Sequence, residues 1–277
     1  MTKLGAHLSI SGGYENALHK IVAIGGNCLQ VFSTLPRGWS FAKIDEKTAY
    51  SFLKLKSELK IDPVYFHASY LINLAEEGKI GHLSKLSIIS ELSVASKLGI
   101  KGSVVHLGSF KKHKTEEKYS ALITHIKEIL KETTDESLFI IENAGNKKIG
   151  RSLEEIAEIV NDVGSERVRV CLDTCHLYSA GYDLSTEGKL EIFLDKFAAK
   201  IGLKRLELFH FNDSRDPFNS GRDRHENIGK GTVPFGTFQL LLRHPKTKHL
   251  PFIIETPGFD GNGPDKKNLD ILKDIRL

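Results

Sequence analysis

The chain has 277 residues, with 39 Lys and Arg against 35 Asp and Glu, a formal charge of +4. Its 40% hydrophobic and 27% charged content excludes a disordered or fibrous chain, and without an apolar run of about 18 residues no membrane span is expected. Three cysteines (Cys28, Cys171, Cys175) are too few for a disulfide scaffold and point to a reducing compartment. Charge and glycine between Met1 and Ile10 stand where an export signal would be apolar, so a cytoplasmic protein is expected. A surplus of +4 permits a nucleic-acid partner without indicating one.

Apolar runs with strand character recur in chain order at Lys3–Leu8, Asn27–Phe32, Asp62–Phe66, Gly102–His106, Leu138–Glu142, Val168–Asp173, Leu206–Phe211 and Phe252–Glu255. Several are continuously apolar, as strands buried on both faces are; Leu138-Phe139-Ile140-Ile141 is one. Helical spacing fills the intervals. Leu83, Leu86, Ile89 and Leu92 predict one apolar stripe, stopped at Lys97-Leu98-Gly99. Tyr119, Leu122, Ile126 and Ile129 predict a second. Ser152 and Glu155 form a capping box ahead of Leu153, Ile156, Ala157 and Val160. Eight strand–helix pairs in about 250 residues predict the α/β class and a (β/α)8 TIM barrel, one domain over residues 1–277. An open doubly wound sheet is the structural alternative; no glycine-rich phosphate loop follows the first strand, and Gly12-Gly13 alone is weak evidence for one.

The strand ends carry the chemistry. His7 comes at the end of the first strand, and His67 follows the third. His106, Glu142 and Asp173 close the fourth, fifth and sixth, with His176 three residues beyond Asp173. His210 lies near the end of the seventh, and Glu255 closes the eighth. In a barrel these positions share the C-terminal rim, where active sites of this fold are built. A single His or Glu at a strand end is more often a hydrogen-bonded core residue than a ligand. So many on one rim would cost several kcal/mol per uncompensated charge, and metal ions are the simplest compensation. Imidazole and carboxylate without thiolate suit zinc, manganese or iron in a hydrolytic or isomerising role.

Asp223 and His225 stand two apart in Arg222-Asp223-Arg224-His225, so an extended backbone points both one way and leaves the arginines free for phosphate. Taken alone, this pair reads as a polar surface loop. Cys171 and Cys175 read as structural, and His7 as lining the site floor or binding metal. His19, His82, His113, His125, His244 and His249 fall in helices or loops without partners, and Lys111–Lys114 reads as solvated surface.

Seven stretches together resemble the endonuclease IV family of zinc-dependent abasic-site endonucleases. They are Gly5-Ala6-His7-Leu8-Ser9, Ser69-Tyr70-Leu71-Ile72-Asn73-Leu74, Asp173-Thr174-Cys175-His176, Ala180-Gly181-Tyr182-Asp183-Leu184, Asn212-Asp213, Asp223-Arg224-His225 and Ile254-Glu255-Thr256. The resemblance implies a TIM barrel holding three zinc ions, with manganese an alternative at one site. It assigns His67 and His106 to the first ion and Glu142 as bridge to a second, completed by Asp173, His210 and Glu255. It assigns His176, Asp223 and His225 to the third, which reverses the surface-loop reading. It implies damaged double-stranded DNA as partner, a monomer, and DNA-binding loops at the C-terminal face. Residues matching Arg37, Tyr70 and Leu71 fill the gap at the abasic sugar. The implied reaction is hydrolysis of the phosphodiester 5′ to the abasic site, with Glu142 orienting the nucleophile, leaving 3′-hydroxyl and 5′-deoxyribose phosphate ends. Removal of 3′-blocking groups is also implied.

The chain departs from the family pattern at Thr34-Leu35-Pro36, Ala68, Leu107 and the short Glu142–Gly145 loop, which bears on DNA contacts and on the groups behind the ligands. The alternative function is a metal-dependent sugar isomerase or epimerase of the xylose-isomerase-like barrel type, needing only Glu142, Asp173, His210 and Glu255. A lesion-binding protein without catalysis is the third reading, weakened by the filled ligand positions.

Overall fold

The computed structural model describes residues 2–276, so Met1 and Leu277 of the expected 1–277 domain lie outside the described residues. In chain order the first half holds β1 (Lys3–Leu8), α1 (Tyr14–Ala23), β2 (Cys28–Phe32), α2 (Glu46–Glu58), β3 (Val64–His67), α3 (Gly78–Lys97), β4 (Gly102–Val105), α4 (Glu116–Glu132) and β5 (Leu138–Glu142). The second half holds α5 (Leu153–Val163), β6 (Val168–Asp173), α6 (Thr174–Ser179), α7 (Glu187–Lys200), β7 (Leu206–His210), β8 (Asp213–Ser214), β9 (His225–Glu226), α8 (Gly236–Arg243), β10 (Pro251–Ile254) and α9 (Lys266–Arg276). Eight parallel strands close in the order β1-β10-β7-β6-β5-β4-β3-β2. The expected barrel is therefore present and closed, and the open sheet is excluded. Each expected strand appears within one or two residues of its sequence bounds.

Alternation along the strands builds two apolar layers. Outward residues pack against the helices, where Phe52, Phe66, Phe139, Phe197 and Phe238 are fully buried. Inside the barrel, Cys28, Tyr65, Val104, Ile140, Cys171, Leu208 and Ile253 form a separate plug, one from each barrel strand but β1. There Gly5 takes the place, because a Cβ would meet the Cys28 carbonyl oxygen at 2.1 Å. Burial of such apolar side chains stabilises the barrel by about 1.5–3 kcal/mol each.

The helices follow their caps. Ser152 Oγ accepts from Glu155 N at 3.1 Å, as the capping box requires. The Glu155 carboxylate, however, takes Gly150 N at 2.8 Å and Arg151 N at 3.2 Å, so it ties down the loop after β5. Leu122, Ile126 and Ile129 are buried on α4 as expected, and Gly99 (φ 57°) follows the end of α3. The stripe expected on α3 is displaced. Leu83, Leu86 and Ile89 are only half-buried, and the inner face is Gly81, Ser84, Ile88, Glu91, Leu92, Val94 and Ala95. At the start of the helix no side chain fits: a Cβ on Gly81 would overlap the Glu76 carbonyl oxygen just before α3 and meet the His125 ring of α4 at 2.8 Å.

Candidate metal centre

Period-two alternation carries each strand from the plug to the site. Two residues beyond Tyr65, Val104, Ile140, Cys171, Leu208 and Ile253 come His67, His106, Glu142, Asp173, His210 and Glu255, on the same inner face. His7 stands two beyond Gly5, and Gln30 two beyond Cys28. The apolar plug is thus roofed by a ring of polar side chains at the C-terminal ends of the strands.

The nine expected ligand residues come together in this ring. Glu142 Oε2 lies 3.2 Å from both His67 Nε2 and His106 Nε2. Glu142 Oε1 lies 3.0 Å from His210 Nδ1, which is 3.3 Å from Glu255 Oε2 and 4.0 Å from Asp173 Oδ2. His176 Nε2 meets Asp223 Oδ1 at 2.8 Å, and His225 Nε2 lies 3.5 Å from that oxygen and 3.6 Å from Asp173 Oδ2. Donor atoms converge within 4.8 Å in the sets His67–His106–Glu142, Glu142–Asp173–His210–Glu255 and His106–His176–Asp223. A fourth set joins Asp173 and His225 with Cys175. Burial pushes the Cys175 thiol up to about 12, which keeps it protonated in the metal-free protein.

These residues fit divalent cations. Tetrahedral ligands at about 2.0–2.2 Å from one ion stand about 3.3–3.6 Å apart, close to the spacings here. Burial alone would push the Glu142 and Glu255 carboxyls up, but the imidazoles of His106 and His210 beside Glu142, and of His210 and His7 beside Glu255, hold both well below the usual range. Burial lowers His106 to about 4, only partly offset by Glu142, so at neutral pH it is the uncharged ligating form. Among the described residues, His225 Nε2 and His106 Nδ1 are buried without a hydrogen-bond partner. Fixed negative charge and unpartnered imidazole nitrogen in one cluster are what bound cations would satisfy.

Local structure explains the ligand spacing. Asp173 is the N-cap of α6 and accepts from His176 N at 2.9 Å, so a carboxylate and an imidazole three apart both face the cluster. His176 Nδ1 donates to the Asn143 carbonyl at 2.9 Å, which leaves Nε2 for Asp223. Asn212 Nδ2 donates to Asp173 Oδ2 at 2.6 Å, and Asn212 Oδ1 accepts from Glu255 N at 2.7 Å. His225 sits on the two-stranded β8–β9 pair, and the segment after β9 is tied back to β8 by Asp213, which accepts from Ser214, Gly229, Gly231 and Val233 N–H groups. The departure at Ala68 leaves His67 supported, because its Nδ1 donates to the Ala68 carbonyl at 2.8 Å.

A cleft of about 980 Å³ opens over the ring, walled by Phe32, Leu35, Pro36, Tyr70, Lys148 and Pro264 among others. Tyr70 is 60% exposed and packs on Phe32 at a 5.3 Å centroid distance; Leu35 is 76% exposed, and Leu71 and Arg37 are exposed. Arg222 and Arg224 correct the sequence reading. They are not free but converge on buried Asp216, with Arg224 Nε at 2.7 Å from Oδ2 and Arg222 Nη1 at 3.4 Å from Oδ1. Their side chains remain exposed beside Asn146 and Lys148. His7 donates its Nδ1 proton to Glu255 Oε1 at 2.8 Å, so it backs a candidate ligand. His125 and His244 are hydrogen-bonded to Leu74 O and Glu191, as structural histidines. Sequence reasoning missed Gln30, Asn143, Lys148 and the bonding role of Asn212. Gln30 carried a signal: it holds the place on β2 that His or a carboxylate holds on the other barrel strands.

Fold and ring define a metal-site barrel of a known class: residues 18–275 match the family model for the xylose isomerase-like TIM barrel. Within that class the chain belongs to the endonuclease IV family. It is 35% identical over 261 residues to a probable endonuclease 4 of Persephonella marina, covering 93% of this chain and 92% of that one. It is 36% identical to a probable endonuclease 4 of Clostridium botulinum, covering 99% and 98%. The crystal structure of endonuclease IV from Thermus thermophilus superposes with a TM-score of 0.85 at 31% identity, covering 99% and 98%. A D-tagatose 3-epimerase-like protein shares the fold, with a TM-score of 0.75 at 20% identity.

Proposed function

We propose that this chain is a metal-dependent DNA-repair endonuclease that hydrolyses the phosphodiester 5′ to an abasic site in duplex DNA and leaves a 3′-hydroxyl and a 5′-deoxyribose phosphate. The observation that carries the reading is the convergence of all nine nitrogen and oxygen ligand residues, five buried and four half-buried, in one cluster beneath an open cleft. A sugar epimerase would use the Glu142–Asp173–His210–Glu255 set alone and leave His67, His106, His176, Asp223 and His225 without employment. In this reading His67 and His106 hold a first zinc and Asp173, His210 and Glu255 a second, with Glu142 between them. His176, Asp223 and His225 hold a third, with manganese an alternative at one site.

Bound divalent cations supply a water acidic enough to ionise at neutral pH and neutralise charge growing on a phosphate. The chain's own residues do the rest. Glu142, with one oxygen toward each of two ligand sets, fixes their spacing and orients the nucleophile. Tyr70, Leu71 and Arg37 enter the gap left by the missing base, and the loops carrying them and Lys148 form the DNA-binding face. Absent stacking at the lesion makes turning out the sugar cheaper than in intact duplex, which selects for damage. The protein acts as a monomer and also trims 3′-blocking groups.

The test is cleavage of a defined abasic duplex by metal-replete protein, with both product ends identified and the reaction repeated after chelation. Incision 5′ to the lesion that disappears on chelation and returns with zinc is expected. Incision indifferent to complete metal removal would overturn the reading. About three ions per chain are expected on metal analysis; one or two would favour the epimerase.

A further inference from the structure

Seven of the eight barrel strands carry an inward His or carboxylate at or beside their C-terminal end; on β2 the inward residue level with His7 is the amide Gln30, which is fully buried. Its two ends are used differently. Gln30 Oε1 accepts from His210 Nε2 at 2.9 Å, and Gln30 Nε2 donates to Glu255 Oε1 at 2.8 Å. Only this orientation of the amide works, because the carboxylate has no proton to give and the imidazole must supply one. A proton on His210 Nε2 leaves the Nδ1 lone pair facing Glu142 Oε1 and Glu255 Oε2. The bond to Glu255 Oε1, shared with His7 Nδ1, leaves Oε2 turned toward the same point. One side chain thus fixes the tautomer of one ligand and the rotamer of another.

We infer that Gln30 is the positioning residue of the Glu142–Asp173–His210–Glu255 metal group, with His7 as its auxiliary on Glu255. The inference rests on the proposed assignment of those four residues as metal ligands. Groups behind metal ligands typically change metal affinity by about 10–100-fold when removed, because they orient the ligand and tune its basicity. A neutral amide is suited to this place: it accepts from His210 without adding a third negative charge beside Glu142 and Glu255. Gln30→Glu would keep the acceptor but set a carboxylate against Glu255 Oε1. Gln30→Met would keep the volume and lose both bonds. His7→Phe would keep the ring between Phe32 and His67 and lose only the bond to Glu255.

The test titrates the metal-free full-length protein and these variants with Zn2+ against a chromogenic chelator, and with Co2+ while following its d–d bands. The folded state is checked by circular dichroism. In Gln30→Met and Gln30→Glu the affinity of one site is expected to fall about 10–100-fold while the other sites keep theirs, with a smaller fall in His7→Phe. On abasic duplex kcat should fall with KM nearly unchanged, since nothing that touches DNA is altered. If Gln30→Met does not fold, Gln30→Glu and His7→Phe decide. Folded variants that bind every ion as the parent does would overturn the inference. A parent protein that binds the ions but leaves abasic DNA intact would remove the nuclease reading alone, because the affinity measurement needs no substrate.

Discussion

Glu91, 3% exposed on the inner face of α3, takes the hydroxyls of Ser33 and Ser103 on its two carboxylate oxygens. Burial outweighs those donors and pushes its carboxyl up to about 7. Tyr14 and His67 are the other titratable groups facing it. The folded protein therefore keeps a proton that the unfolded chain, with its ordinary carboxyl, releases at lower pH. Stability from this group is full below the unfolded value and is lost as pH rises through about 7, a loss of about 3 kcal/mol. Urea unfolding of the parent and of Glu91→Gln checks this: the parent should lose about 3 kcal/mol relative to the variant between about pH 5 and pH 8. A difference that stays flat with pH would refute it. At the opposite, exposed end of the scale, Arg37→Ala should weaken binding of abasic duplex about tenfold and leave metal content unchanged. Parent-like binding by that variant would remove Arg37 from the DNA contact.

Among the elements, the β8–β9 pair is the least expected and the most testable. The segment after β9 closes on the single carboxylate of Asp213, so Asp213→Ala strips four backbone N–H groups of their acceptor. A cost of about 2–3 kcal/mol is expected, with a fall in Tm of several degrees by calorimetry. Metal affinity should fall at the set containing His225, which rides on β9, and an unchanged Tm would contradict the role given to Asp213. Such short elements were not legible in the sequence, because a two-residue strand has no periodicity; Asn212-Asp213 was visible only as a motif. The barrel strands were legible, because continuous apolar runs ending in His, Glu or Asp repeat with the period of the fold. On α3 the stripe was misplaced for a physical reason: Gly81 runs close to Glu76 and His125, Ser84 Oγ accepts from Asn73 N, and Glu91 takes the Ser33 and Ser103 hydroxyls, so small and polar residues stand on the inner face. Asp223 and His225 gained meaning only from the wider motif, since two polar residues in a loop look the same solvated or ligating. Gln30 was missed because an amide neither titrates nor announces a ligand, and its only signal was its place on β2, level with His7.

At the scale of the whole molecule, charge is separated by depth. Four of the 35 acidic residues lie in the candidate metal cluster, Lys148 lines the cleft above it, and Arg222 and Arg224, paired with Asp216, stand beside Lys148, while exposed Arg37 follows Pro36 of the cleft wall. If Arg37 and Lys148, which among the described residues have no carboxylate partner, each neutralise a phosphate, Kd for duplex should rise about tenfold from about 50 to about 200 mM salt. Fluorescence anisotropy measures this, and a rise below about threefold would argue against a phosphate-reading rim. Chelation should lower Tm, because ions that bind only the folded chain stabilise it by mass action. It should leave the barrel standing, since the plug from Cys28 to Ile253 is complete without any polar residue above it. That separation has a consequence for the protein's history in a cell. Unlike a zinc finger, whose chain folds only around its ion, this barrel can be made first and loaded afterwards. Its metal complement then records the ions in supply where and when the finished molecule meets them.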